Sequence, residues 1–311
     1  MENSNISVEV RGVSKSYSLT KALDEVSLSV QKGEMFGLIG PDGAGKSTLF
    51  RILTTLILPD SGTASVEGFD VKRDYKSIRK IIGYMPGRFS LYGDLTVDEN
   101  LSFFASVFDV KVKDNYPLIE NIFKDIAPFG KRRASRLSGG MKQKLALSCA
   151  LIHKPSVLFL DEPTTGVDPV SRREFWQMLD RLKTAGITIV VSTSYMDEAL
   201  LCDKIALIKE GRILSSNSPH GVVESYRDTL IAIWGDEMHL LLKELRSYDE
   251  IKSVYSFGQE HHIAIDKKLY NICFIDSLAQ KLHQKGFQNF QIKVIAPTIE
   301  DCYMEFSKNS N

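Results

Sequence analysis

Residues 40–48 read Gly-Pro-Asp-Gly-Ala-Gly-Lys-Ser-Thr, directly after the apolar run Met35–Ile39 and before helical periodicity from Leu49 to Leu56. A strand that hands over to a helix through a glycine-rich turn has few ways to fold. The glycines let successive backbone N–H groups curl around an anion, and the helix behind them aims its free N–H groups and dipole at the same point. Lys46 adds a charge suited to the β- and γ-phosphates of a nucleotide, and Ser47 a hydroxyl suited to Mg²⁺. Gly40, Pro41, Asp42, Gly43, Ala44, Gly45, Lys46, Ser47 and Thr48 therefore form the candidate phosphate cradle. Without the flanking strand and helix they would be a glycine-rich turn with a solvated lysine.

Two more apolar runs, Val157–Leu160 and Ile187–Val191, read as strands covered on both faces, with amphipathic stretches between them. The alternation predicts an α/β fold. A chain of 311 residues has room for two domains. Near Ser215–Pro219 the sequence turns polar and its rhythm changes. Leu230–Trp234, Ile251–Phe257, His262–Ile265 and Phe290–Ile295 read as strands, Glu237–Arg246 and Tyr270–Lys285 as helices, and a short helix begins at Pro297–Glu300. The order βαββαβ predicts a small α+β, ferredoxin-like domain over 221–311, after a first domain over 1–220.

Lys+Arg and Asp+Glu both total 39, so no global basic field favours nucleic acid. Cys149, Cys202, Cys273 and Cys302 lack paired metal spacing and read as reduced small apolar residues, as expected of a cytoplasmic protein. The N-terminus lacks the pattern of a secretory signal, and no apolar run approaches the ~20 residues that cross a bilayer, so the chain is expected not to span a membrane by itself.

The strand at Val157 ends in Asp161-Glu162-Pro163. Adjacent carboxylates there suit the two acidic tasks beside a magnesium nucleotide: Asp161 holds the metal through its water shell, and Glu162 polarises the attacking water. Such pairs are usually just solvated, and the phosphate loop gives this one its meaning. Between the two motifs, Leu137-Ser138-Gly139-Gly140 opens a helix. Its bare N-terminus is either a second anion site or an N-cap and nothing more.

In this order and spacing, the phosphate loop, LSGG and DEP resemble the ATP-binding subunit of an ABC (ATP-binding cassette) transporter, over about residues 5–220. The resemblance implies a RecA-like core, an antiparallel β subdomain and a helical subdomain carrying LSGG. It implies ATP and Mg²⁺ as cofactors and a second ATP-binding subunit, identical or different, arranged head to tail. Ser138, Gly139 and Gly140 would then face the partner's ATP, and the loop Thr165–Asp168 would touch the opposite site. Tyr17 occupies the place of an adenine-stacking aromatic; the alternative is a core tyrosine. Phe89, Leu91 and Tyr92 would receive a coupling helix from a membrane permease, or belong to a loop anchored in the core. The C-terminal part resembles the extension on subunits of ABC-2-type multidrug exporters, which work peripherally at the cytoplasmic face of the cell membrane.

Two positions depart from the pattern. Where the family carries a metal-contacting glutamine after Lys80–Pro86, this chain has Gly87 and then Arg88. Where it carries a histidine that contacts the γ-phosphate, this chain has Ser194. A serine hydroxyl donates one hydrogen bond but is shorter than imidazole and is never a cation near neutral pH. The expectation is tight ATP binding with slow hydrolysis, and an intact LSGG able to complete a faster site on a different subunit. The alternative is compensation by Arg88, Ser194 or a water in an active homodimer. Two rivals remain: a ribosome-acting ABC ATPase, disfavoured by the single cassette and zero net charge, and a cytosolic regulator with little turnover, disfavoured by Glu162.

Overall fold

The computed structural model describes residues 5–270 and 272–308. The chain divides into two compact units, one comprising residues up to Pro219 and from Phe306 on, the other His220–Glu305.

The first unit is built on two sheets. An antiparallel sheet pairs β1 (Ile6–Tyr17) with β2 (Thr20–Gln31) and β4 (Ser61–Val66), with β5 (Phe69–Asp70) at its edge. The second sheet has the order β10-β9-β3-β8-β7-β6, from β3 (Met35–Ile39), β6 (Ile82–Met85), β7 (Val157–Asp161), β8 (Thr188–Thr193), β9 (Lys204–Lys209) and β10 (Arg212–Asn217). Its pairings are parallel except β9–β10. β3, β7 and β8 are buried along their whole length, which is why Met35–Ile39, Val157–Leu160 and Ile189–Val191 within them read as apolar runs.

Four helices shape the site: α1 (Lys46–Leu53), α2 (Tyr75–Ile81), α5 (Gly139–Leu151) and α6 (Pro169–Thr184). Phe50 of α1 meets Phe159 of β7 edge to face at 5.7 Å, fastening the helix behind the phosphate loop to the centre of the sheet. α3 (Val97–Val107) and α4 (Val112–Phe123) pack with α5 as a helical segment between β6 and β7. Thr96 and Glu99 close a capping box at the start of α3.

In the second unit, β11 (Thr229–Gly235), β12 (Ile251–Phe257), β13 (Glu260–Ile265) and β14 (Phe290–Ile295) pair antiparallel in the order β12-β13-β11-β14. With α8 (Met238–Leu245) and α9 (Ile272–Gln284) this is the split βαββαβ arrangement of a ferredoxin-like fold. Leu241, Leu245, Leu278 and Leu282 bury the helices against Ile231, Ile263 and Ile265. α7 (Pro219–Glu224) precedes the sheet, and α10 (Ile299–Lys308) ends the described chain. Cys149, Cys202 and Cys302 are buried, as small apolar residues are; Cys273 is exposed.

Candidate active site

The carboxyl ends of β3, β7 and β8 lie side by side, and each delivers one part of the site. From β3, the chain enters the loop at Gly40, whose N–H donates to Thr193 O at 3.2 Å. A Cβ on Gly40 would stand 2.3 Å from Ile208 O, so only glycine lets the loop begin here. Gly43 and Gly45 take positive φ, and Gly45 is the residue before α1. Ser47 and Thr48 occupy the first turn of α1, and Asp42 is exposed at the loop's crest.

Lys46 is 4% exposed, and its ammonium donates to Gly40 O at 2.6 Å and Pro41 O at 2.9 Å. It also lies 2.9 Å from Glu162 Oε1. The phosphate-loop lysine and the candidate general base are thus joined directly. Glu162 itself sits at φ 49, the left-handed region, where a non-glycine residue persists only if its surroundings hold it. Its N–H donates to Ser192 O and to Ser192 Oγ, both at 3.1 Å. Its Oε2 accepts from Thr165 Oγ1 at 3.1 Å and from Ser194 N and Oγ at 3.2 and 3.4 Å.

Asp161, also 4% exposed, accepts from Ser192 Oγ at 2.6 Å. Burial and the nearby Asp161 charge push the Tyr84 hydroxyl up to about 12. Gly87 flanks the same strand end: a Cβ there would meet Asp161 O at 3.1 Å and Glu162 Cβ at 3.5 Å. Arg88 beside it is exposed and lines a cleft instead.

The other expected residues make local bonds. Ser138 caps α5, its Oγ accepting from Met141 N at 3.4 Å, and Gly139 lies near Gly166 O. Gly140 packs on Ser171. Asp168 caps α6 through Val170 N and Ser171 N, bonds that hold its carboxyl below the usual range. Tyr17 is 42% exposed at the end of β1, so it is not a core residue. The segment after Ser194 forms a 3₁₀ turn over Met196–Leu201.

A cleft of about 570 Å³ opens beside Gly87, lined by Met85, Phe89, Leu91, Phe104 and Val107 among others. Tyr92 does not line it. Asn100 holds the Tyr92 backbone N–H and carbonyl, and the ring packs edge-on against Phe103 at 4.9 Å.

Residues 23–165 match the family described as ABC transporter. The Nod factor export ATP-binding protein I of Mesorhizobium japonicum is 36% identical over 251 residues, 79% of this chain and 74% of that protein. The chain belongs to the ABC transporter family. The cassette is also 42% identical over 214 residues to the probable multidrug ABC transporter ATP-binding protein YbhF of Escherichia coli K12. That match takes in 68% of this chain and only 37% of YbhF. Among solved structures, the ATP-binding cassette MJ0796, described as a dimer in a post-hydrolysis state bound to ADP and Pi, superposes with a TM-score of 0.62 at 26% identity, over 68% of this chain and 98% of that one.

Sequence reasoning missed four polar residues of the cassette: Thr164, Ser192, Thr193 and Glu198, all buried. The available signal was the polar tail Ser192-Thr193 on an otherwise apolar strand, because a hydroxyl at a covered strand end needs a partner.

Proposed function

We propose that this cassette binds and hydrolyses ATP to drive a membrane exporter of the ABC-2 type, working as a head-to-tail pair of ATP-binding subunits at the cytoplasmic face of the membrane. The observation that carries the hydrolytic part is the Glu162 carboxylate, held between the Lys46 ammonium and the Ser194 N–H and hydroxyl. Residues 40–48 hold the phosphates, and Ser47 with Asp161 suits Mg²⁺, which uses few protein ligands and otherwise phosphate and water oxygens. When bound, Mg²⁺ neutralises charge developing on the β- and γ-phosphates.

The Lys46 ammonium exchanges its ion pair with Glu162 Oε1 for one with phosphate, and the freed carboxylate takes the proton of the attacking water. Ser194 steadies Oε2 but has no imidazole to extend toward the γ-phosphate. Hydrolysis is therefore slow, and the LSGG segment Ser138–Gly140 serves the partner's ATP, which favours an unequal pair of ATPase subunits. Tyr17, exposed at the end of β1, is the adenine platform, and Asp168 ends the loop that faces the opposite site.

The relative named as a Nod factor export ATP-binding protein favours export, and the one named as a multidrug ABC transporter ATP-binding protein fits it. No helix among the described residues is long and apolar enough to cross a membrane. The path across the membrane is assigned to a permease chain. The cleft with Phe89 and Leu91 is its docking place. Two experiments test this reading. Ser194→His should raise kcat about tenfold or more at unchanged ATP affinity, since one positioned transition-state donor is worth ~10²–10³; a fall in rate contradicts the slow-site reading. Cross-linked purification should recover the chain with an integral membrane protein, and recovery only in soluble complexes would contradict the transporter assignment.

A further inference from the structure

Glu198 is 2% exposed, and phosphate chemistry gives it no task. Its Oε1 accepts from Thr164 Oγ1 at 2.7 Å, and its Oε2 accepts from Thr193 Oγ1 at 2.5 Å. Thr164 follows two residues after Glu162, and Thr193 stands immediately before Ser194. We propose that Glu198 is a positioning residue that fixes the separation of Glu162 and Ser194 by clasping together the segments that carry them; the proposal rests on the hydrolytic reading above.

The parallel ladder between β7 and β8 ends at the pair Asp161 and Ser192. Beyond that rung Glu162 leaves strand geometry at φ 49, so strand pairing no longer sets where its side chain goes. The direct contacts of Glu162 with Ser194, at 3.2 and 3.4 Å, are long for hydrogen bonds. The Glu198 bonds, at 2.7 and 2.5 Å, are shorter and fully buried. A planar carboxylate that takes one threonine on each oxygen sets the distance between the two hydroxyls.

The clasp reaches further on the β8 side. Thr193 Oγ1 also accepts from Tyr195 N at 3.1 Å, and Thr193 O accepts from Gly40 N. Ser194 is therefore bracketed by two residues tied to one hydroxyl. From α6, Arg172 Nε lies 3.7 Å from Glu198 Oε1, and its guanidinium covers the Tyr195 ring at 4.8 Å, giving the buried carboxylate a cation. A carboxylate serving stability alone has no reason to join these two segments, each within two residues of a catalytic candidate.

The test compares the full-length chain with Glu198→Ala, Glu198→Gln and the double variant Thr164→Val/Thr193→Val. It measures amide hydrogen exchange over residues 193–198 by mass spectrometry, then kcat and KM for ATP, with melting temperature as the control for folding. The expected result for the alanine and double-valine variants is exchange faster by about tenfold and kcat lower by about tenfold, with KM within about twofold. Glu198→Gln should recover most of both, because its amide still meets two rotatable hydroxyls. Should Glu198→Ala fail to fold, the isosteric valine pair carries the test. Unchanged exchange in the valine pair overturns the clasp, and so does faster exchange with unchanged kcat. If wild-type turnover matches that of Glu162→Gln, the hydrolytic reading fails while exchange still decides whether Glu198 fixes the turn.

Discussion

The strand ends that carry the candidate active site and the junction of β13 with α10 in the second unit both bury carboxylates, but they give them different partners. In the cassette, Asp161 takes the Ser192 hydroxyl and Glu198 takes two threonine hydroxyls. In the second unit, Asp301, 4% exposed, takes His262 Nδ1 at 2.7 Å and two groups of Thr298, while His262 Nε2 meets Glu260 at 3.1 Å. Hydroxyls do not titrate near neutrality, so the cassette's carboxylates have partners that do not change charge there. Imidazole does titrate, so the second unit carries a bond whose strength depends on pH. Burial pulls the His262 pKa down, but the bonds to Asp301 and Glu260 outweigh it and raise it above its ordinary 6.5. Burial likewise raises Asp301, yet His262 and Thr298 leave it below its ordinary 3.8.

Three substitutions sharpen that contrast. The largest effect is expected from Ser192→Ala, which removes the hydroxyl that donates to Asp161 and leaves the Glu162 N–H only Ser192 O. Loss of a group that orients a metal-site residue costs about 10–100-fold in activity, and an orphaned buried acceptor about 1–3 kcal/mol in stability. Thermal melts of the two proteins read that stability gap.

Next comes His262→Gln, whose gap from wild type should depend on pH. A raised histidine pKa gives stability that is complete below 6.5 and fades as pH climbs through the higher folded value. A lowered aspartate pKa gives stability that is complete above 3.8 and fades as pH falls through the lower folded value. The wild-type advantage should therefore be widest between these two limits and shrink on the alkaline side; a constant gap across pH 5–9 would erase the distinction between the two regions. The smallest effect is Thr298→Ala, which removes the N-cap of α10 and one restraint on Asp301, worth about 1 kcal/mol by denaturant titration.

The sequence made β3, the glycine loop, the acidic end of β7 and the βαββαβ order legible, because apolar runs and turn residues mark them locally. Its errors lie where tertiary partners intervene. The strand at 187–191 extends to Thr193, since Ser192 and Thr193 are polar residues whose hydroxyls find buried acceptors. Helical periodicity from Leu49 to Leu56 belongs to a helix that starts at Lys46 and stops at Leu53, as Thr55 adopts φ 62. The final helix starts at Ile299 because Thr298 caps it, one turn signal that Pro297–Glu300 did contain. Glu198 was invisible: only the fold brings it to Thr164, across 34 positions of sequence.

The central claim is that Glu162, held between Lys46 and Ser194, is the base of a working though slow ATPase. Steady-state ATP hydrolysis by the purified chain beside Glu162→Gln, with ATP binding measured on both, tests it most directly. Binding should be equal, and wild-type turnover low yet about 10²-fold or more above the variant, the usual worth of a positioned general base. Equal turnover in the two proteins, with ATP bound to both, would contradict it.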